Sequence, residues 1–498
     1  MCTNEVLAMF GSTGRPEVRT ATKWGAVAVA AAAVAAALVV PPGAAAQAKD
    51  ARQSAGGGAS AGAALEGVWR SDGYQQYLTV HQGEMRSYEY SAAGCLPGRL
   101  RLTAGKGAPG HSGVPFRDKD GVRWLTLRTT GADNARLAPA GSVGEQRLER
   151  IAALPADCAR PPAADPVHTF DVFWATLREN YPFLRAKGVD WDAMRAKYRP
   201  QVNAGTSDDR LFEILSAMIE PLHDMHTQLR DATGKRHTLN VRPGTFFGDE
   251  KYRDRVAAVT RAQLPEKVEE FADGQIQYAD LGRGTGYLRV TIFAGYGGKE
   301  GPVGPDADAA ILDRALAAVF TEKRVRAMRG LVVDLRLNGG GADALGIRIA
   351  GRLTDRAYTA YTKVARNDPD DPESGTPPQP IRVRPAAGPR FTGPVAVLGG
   401  PLTISAGESF AQSLMGRTPA PIRIGEPTQG VFSDTMQRAL PNGWTLTVPN
   451  EKFLDGDGRT YDGTGIPPTH PEPVHAEADL ANFRDPALKR ALRELRAR

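Results

Sequence analysis

The chain has 498 residues, of which 41% are hydrophobic and 24% charged, and a formal net charge of +6. Its length exceeds what one hydrophobic core usually holds, so two or three domains are expected. The apolar content excludes a disordered chain, and the basic excess is spread out without an aromatic-interleaved patch, which gives no nucleic-acid reading.

The first element is a targeting pattern. Arg15, Arg19 and Lys23 precede an uncharged run from Trp24 to Val40, and Ala46-Gln47-Ala48 supplies a small-x-small cleavage signature. This is the layout of a secretory signal peptide over residues 1–48. The alternative, an uncleaved anchor, suffers from a run that is short for a membrane span and rich in weakly apolar alanine. After cleavage no integral membrane segment is expected. Residues 1–48 carry three basic and two acidic side chains, so removing them takes the net charge from +6 to +5. Localisation is therefore expected to be secreted or cell-envelope associated.

Residues 49–64 read as a flexible Gly/Ala/Ser linker. From 65 to 158, short alternating runs such as "YLTVHQ", "GRLRLTA" and "RWLTLRTT" are broken by Gly, Pro and Asn turns. They predict a small antiparallel β domain. Cys2 leaves with the signal, which leaves Cys95 and Cys158. In an oxidising compartment these are expected to pair, closing a loop of about 60 residues worth on the order of 4 kcal/mol. Two buried thiols are the alternative.

After the Pro-rich boundary "CARPPAADP" the period changes to three and four, predicting a helical bundle over 165–230. A variable connection, 231–275, follows. Then apolar strands alternate with helices. "GYLRVTIF" precedes a helix from Asp306 to about Arg329, "GLVVDLR" a glycine turn and a helix from Ala342 to Leu353, and "PVAVLGG" a helix opening at Ser405. This alternation predicts parallel βαβ units in a core over 276–476, with a C-terminal helical tail at 477–498.

Several stretches carry candidate chemistry. Ser405 and Glu408 form a Ser-x-x-Glu capping box, yet a helix N-terminus also stabilises an alkoxide or oxyanion, so capping and catalysis are compatible. "DLRLNGGG" (Asp334 to Gly341) ends a strand in glycines whose bare backbone presents N–H groups; it lacks the Lys-Ser/Thr of a phosphate loop. "LHDMHTQL" holds His223 and His226, three apart, without a third ligand or a His-Glu-x-x-His, so no metal site and no cofactor is expected. "DGDGRTYDGTGIPP" fails as a calcium loop at Arg459 and Ile466, leaving Asp462 as a carboxylate between turns. The acidic loop 367–375 reads as solvated. Together these parts supply a hydrolase: a serine at a helix start, a histidine base, backbone donors for an oxyanion and an orienting carboxylate.

The blocks "LHDMHTQL", "GLVVDLRLNGGG", "PLTISAGESFAQSL", "RIGEPTQGVFSD" and "LPNGWTLTVPNEKFLDGDGRTYDGTGIPP" resemble, in order and wording, the C-terminal processing (tail-specific) serine peptidases. The resemblance is strongest to their branch with the tricorn core and the interphotoreceptor retinoid-binding-protein-like domains, and it covers roughly 165–474. It implies an α/β fold: a ClpP/crotonase-like spiral ββα core, a preceding helical bundle and, outside the shared part, the separate N-terminal β domain. It also implies Ser405 as nucleophile, His226 as base, and Gly340 and Ala406 N–H groups as the oxyanion hole. The lysine base of the processing branch is absent, since Val431 follows "GEPTQG". Asp462 stands where the tricorn-like arrangement usually has a glutamate, with Glu426 as a second candidate to support His226. Met225 replaces a serine next to the histidine, Thr469 stands where family members commonly have Asp, and no PDZ-like segment is seen. The implied function is an exported serine endopeptidase acting on peptides or unfolded proteins. A catalytically weak peptide- or envelope-binding module is the alternative, and an esterase using Ser405, Asp455 and His470 is a third reading. The substrate's identity and the oligomeric state are not legible.

Overall fold

The computed structural model describes residues 62–105, 113–160 and 162–498. The 1–48 segment, and the linker up to residue 61, lie outside the described residues.

Eight strands follow one another: β1 (Gly67–Ser71), β2 (Gln76–His81), β3 (Glu84–Ser91), β4 (Gly94–Ala104), β5 (Val114–Arg117), β6 (Arg123–Thr129), β7 (Asn134–Pro139) and β8 (Gln146–Ile151). All pair antiparallel with their neighbours, and β1 pairs with β8, so the sheet closes into a barrel without free edges. The period-2 pattern puts Trp69, Leu78, Val80, Phe116, Leu127, Leu137 and Leu148 inside, where they form their own core. The expected small β domain is thus a barrel. Cys95, at the start of β4, is bonded to Cys158 in the turn Ala156–Ala159, with Cα atoms 4.7 Å apart.

Three helices come next, α1 (Pro166–Asn180), α2 (Trp191–Tyr198) and α3 (Asp208–Ile219). Each opens on a side-chain cap: Asp165 accepts from His168 N–H, Asp190 from Ala193 N–H, and Ser207 from Arg210 N–H. Their apolar faces (Phe170, Phe173, Leu177, Leu215, Met218) pack on Trp444 and Leu446, far along the chain, so the helical module shares its core with the rest.

Beyond them lie β9 (Gln228–Arg230), α4 (Glu250–Ala262), β10 (Glu269–Phe271), β11 (Ile276–Asp280), β12 (Thr285–Val290), α5 (Pro305–Val319), α6 (Glu322–Ala327) and β13 (Gly330–Asp334). The order continues with α7 (Asp343–Gly351), β14 (Tyr358–Ala365), β15 (Gln379–Val383), β16 (Val395–Gly399), α8 (Ala406–Met415) and β17 (Ile422–Gly425). Last come β18 (Thr435–Ala439), β19 (Thr445–Pro449), β20 (Glu451–Leu454), β21 (His470–Pro471), α9 (Glu477–Ala481) and α10 (Pro486–Arg496). A seven-stranded sheet in the order β10-β11-β12-β13-β16-β17-β21 forms the centre, parallel from β12 onward. All five residues of β13 are buried, as a parallel strand covered on both faces requires. On one face pack α5, α7 and α8 through Leu312, Leu316, Leu345, Phe410 and Leu414. On the other, α10 sets Leu488, Ala491 and Leu495 against Val332, Ala396 and Leu398. Small sheets β15-β14-β20 and β18-β19-β9 flank the centre.

Two expectations change. The single helix from Asp306 to Arg329 is broken after Val319, and Thr321 caps a second short helix by accepting from Arg324 N–H. The stretch 231–275 contains α4, whose polar sequence buries only Val256, Val259 and Thr260 and so gives a faint period. Among the described residues no helix is long and apolar enough to cross a membrane.

The disulfide links residues 63 apart in sequence and fastens the barrel's exit to β4. Replacing both cysteines by alanine should therefore lower unfolding stability by about 4 kcal/mol in denaturant titrations. Unchanged stability would contradict that role.

Candidate active site

Ser405 sits between the strand-end loop after β16 and the first turn of α8, with φ 56° and ψ −121°. A side chain other than glycine avoids this region, which costs on the order of 1–3 kcal/mol, and it persists only where neighbours over-determine it. The neighbours are identifiable. Ser405 N–H donates to Glu408 Oε2 at 3.1 Å, and the same buried carboxylate accepts from Gly430 N–H (2.6 Å) and Val431 N–H (2.9 Å). Ile404 N–H donates to Asn338 O at 2.9 Å. The elbow is thereby tied to the "PTQGV" loop on one side and to the glycine turn on the other. Burial pushes the Glu408 carboxyl up to about 7, against the Thr428 hydroxyl and three backbone donors that favour its charged form.

The glycine turn lies directly against the serine. A Cβ added at Gly340 would stand 2.7 Å from Ser405 Cβ and 3.2 Å from its Oγ, and Gly340 has φ +93°. Both facts require glycine here. Ala406 N–H is the first of α8, a position with no intrahelical acceptor, so it is free to receive an anion. Gly340 N–H, in contrast, is donated to Asn338 Oδ1 at 3.0 Å in this conformation. The close packing that brings the two turns together runs through α7 and α8, where a Cβ on Gly346 would meet Phe410 Cβ at 2.8 Å.

His226 is 5% exposed, in the loop that leaves α3. Its backbone N–H donates to Asp224 Oδ1 (2.8 Å), and Asp224 Oδ2 accepts from Tyr181 OH (2.7 Å). Met225 packs with Ile404 and Val431, which carries the loop to the serine elbow. Burial lowers the imidazole below its usual range, while Asp224, Asp434 and the Ser433 backbone pull in the opposite direction. The ring is thus neutral at pH 7, the state a general base needs. Its Nδ1 is buried without a hydrogen-bond partner. No hydrogen bond joins His226 to Ser405 among the described residues. His223 is exposed, unlike His226, and has a left-handed backbone with φ 46°.

Asp462 is half-buried; its Oδ1 accepts from Phe432 N–H at 3.1 Å and its Oδ2 from Thr460 Oγ1 at 2.8 Å. Burial pushes its carboxyl up to about 8; these two donors oppose the rise, and the neighbouring acids Asp224 and Glu408 add to it. It therefore faces acids and makes no hydrogen bond to His226. Glu426 accepts from Val474 N–H at 2.9 Å and takes no part in the contacts of His226. The carboxylate hydrogen-bonded to His226 is Asp224, through the backbone N–H and not the imidazole. Its signal was present in the Asp-x-His-Thr spelling, where an Asx turn is available. Asp434 and Asn338 left no such local trace. Of the esterase set, His470 Nε2 lies 3.7 Å from Glu494, and Asp455 is engaged by Tyr461 and Arg459; neither is hydrogen-bonded to Ser405.

Residues 284–471 match the family model of Peptidase family S41, and residues 162–220 that of the tricorn protease C1 domain. Among solved structures, a protein from Parabacteroides merdae ATCC 43184 is similar over 67% of this chain and 97% of its own, at 24% identity and a TM-score of 0.55, a likeness of fold. Mature CPAF is similar over 66% of this chain and 96% of its own (12% identity, TM-score 0.47). The tricorn protease is similar over 85% of this chain and 46% of its own (16% identity, TM-score 0.40). None of the curated proteins matches the chain.

The raised Asp462 carboxyl has a measurable consequence. The folded state holds a proton that the unfolded chain releases near pH 4, so stability is fully present below that pH and declines as pH rises toward about 8. Between pH 5 and pH 9 the wild type should lose more unfolding free energy than Asp462→Asn, by at least about 1 kcal/mol. Parallel pH dependences would contradict the assignment.

Proposed function

From a chain that carries the catalytic core of peptidase family S41 and is a serine-type peptidase, we propose that it cleaves peptides or unfolded protein segments with Ser405 as nucleophile and His226 as general base. The observation that carries this reading is the strained Ser405 turn packed against Gly340, an arrangement with no value for capping alone. Ser405 Oγ attacks the scissile carbonyl carbon as its proton passes to the imidazole of His226. The carbonyl oxygen becomes an oxyanion received by Ala406 N–H, at the positive end of α8, and by Gly340 N–H once it exchanges Asn338 Oδ1 for the substrate. His226 returns the proton to the leaving amine, the C–N bond breaks, and an acyl-enzyme remains. Water activated by the same imidazole then releases the second product and restores the Ser405 hydroxyl. Asp224, through Tyr181 and the His226 backbone, fixes the loop that presents the base. The gap between Ser405 and His226 closes when substrate binds, as catalytic hydrogen bonds commonly tighten on complex formation.

The reading extends to export. The 1–48 pattern and the Cys95–Cys158 bond both fit an oxidising compartment outside the cytoplasm. N-terminal sequencing of the protein from a producing culture should find a mature chain beginning near Lys49; a chain retaining residue 1 would contradict cleavage.

Labelling with a fluorophosphonate serine probe, together with peptide hydrolysis, tests the chemistry. Wild type should react, and Ser405→Ala and His226→Ala should each lose at least about 10³-fold in rate. Ser405→Ala should unfold within about 1 kcal/mol of wild type, since it removes a cap. The acid limb of the wild-type rate should fall below pH 6.5, because burial lowers the imidazole. Turnover surviving in Ser405→Ala would overturn the proposal, and an inert wild type would favour a peptide- or envelope-binding module.

A further inference from the structure

The barrel lies outside both family matches, yet one of its loops reaches the candidate active site. That loop, 140–145, joins β7 to β8. Its first contact is with the oxyanion side. Gly141 O accepts from Ala344 N–H (3.1 Å), in the first turn of α7, four residues beyond Gly340. A Cβ on Gly141 would stand 3.2 Å from Ala342 Cβ and 3.3 Å from Pro305 Cβ, and Gly141 has φ +84°, so this approach is open only to glycine. The second contact is with the histidine side. Ser142 Oγ donates to Asp434 Oδ2, the same oxygen that accepts from Lys363 Nζ (2.8 Å). Lys363 Nζ also donates to Val143 O (3.2 Å) and lies 3.0 Å from Glu451, whose carboxylate accepts from Tyr74 OH of the barrel (2.5 Å). A third contact fixes the loop's end: Glu145 N–H donates to Gln379 Oε1 (2.5 Å), and Gln379 Nε2 donates back to Glu145 O (2.9 Å).

A loop that merely joined two strands would not need five polar contacts to the core, reaching both the first turn of α7 and Asp434. We propose that the 140–145 loop is a positioning element of the active site, holding Asp434 beside His226 and the first turn of α7 beside the glycine turn. This rests on the reading of His226 as the base. The charged groups that pull the His226 ring toward its charged form are Asp224 from its own loop and Asp434 from the segment after Val431. Those facing Asp434 are Lys363, His226 and Ser142, with Asp343 and Glu451 completing the cluster around Lys363. The Asp434 side chain is 39% exposed, so solvent weakens its pull on the imidazole and the orientation set by Ser142 decides how much remains. Without Ser142 the carboxylate keeps only Lys363 at Oδ2 and loses the second donor that fixes its orientation, so its support for the imidazolium falls.

The test uses the full chain, with Ser142→Ala, Ser142→Thr, Asp434→Asn and Ser405→Ala. Two readouts are taken: the pH dependence of the fluorophosphonate labelling rate, and the His226 titration midpoint by ¹³C-histidine NMR, assigned by loss of its signal in His226→Gln. Asp434→Asn should lower the midpoint by about half a pH unit. Ser142→Ala should lower it less, in the same direction, and slow labelling about tenfold, while Ser142→Thr, which keeps the hydroxyl, restores both. Should Asp434→Asn fail to fold, Ser142→Ala alone decides. Wild-type labelling and an unmoved midpoint in Ser142→Ala would overturn the proposal. If wild type labels no faster than Ser405→Ala while the midpoint still moves, the peptidase reading fails and the positioning contact stands.

Discussion

A serine held in a backbone conformation that serine avoids is the constraint on which the rest depends. The turn at Ser405 costs free energy, and the buried Glu408 carboxylate, by collecting N–H donors from Ser405, Gly430 and Val431, offsets it. One side chain therefore does two things. It completes the start of α8, and it binds the "PTQGV" loop against the elbow. The Met225–Ile404–Val431 cluster then brings His226 to the same place. On the opposite side, Asn338 holds both Ile404 and the glycine turn, so the Ser405 elbow and Gly340 are positioned through one asparagine.

The electrostatics of the site are acidic. Asp224, Glu408, Asp462, Asp434, Asp343 and Glu451 crowd around it, with Lys363 as the buried cation among them. Burial raises the Glu408 carboxyl to about 7 and that of Asp462 to about 8, with the neighbouring acids Asp224 and Glu408 adding to the rise at Asp462. Asp343, raised to about 7 by burial and by Asp434, behaves similarly. A neutral Asp462 donates or accepts hydrogen bonds but does not stabilise an imidazolium as an anion would. The carboxylates that favour a charged His226 ring are Asp224 and Asp434.

The sequence was most informative where chemistry and local structure coincide. Ser405 with Glu408 spelled a capping box, and the same two residues build the elbow. The three glycines after Asn338 announced a close approach, and Gly340 makes one. Antiparallel alternation announced the β domain, and the two cysteines announced their bond. What stayed hidden depends on distant parts of the chain. No local pattern shows that a barrel loop near residue 142 meets Asp434, or that Lys363 lies between them, because those contacts span hundreds of residues. Barrel closure was equally illegible, since it depends on pairing between the first and last strands. Helix α4 was missed because its buried face is only a few residues wide, and the break between α5 and α6 because Thr321 reads as an ordinary helix residue until its cap is seen. Asp462 was assigned as the orienting carboxylate from the family resemblance; in the fold it is bonded to Phe432 N–H and Thr460, while Asp224 accepts from the His226 backbone N–H.

The most direct test of the central claim is a structure of the protein after reaction with a fluorophosphonate. The account predicts phosphorus bonded to Ser405 Oγ, with the phosphoryl oxygen within about 3 Å of the Ala406 and Gly340 N–H groups. Gly340 N–H will then have left Asn338 Oδ1. An adduct on another residue, or one at Ser405 whose oxygen faces away from the glycine turn, would contradict it.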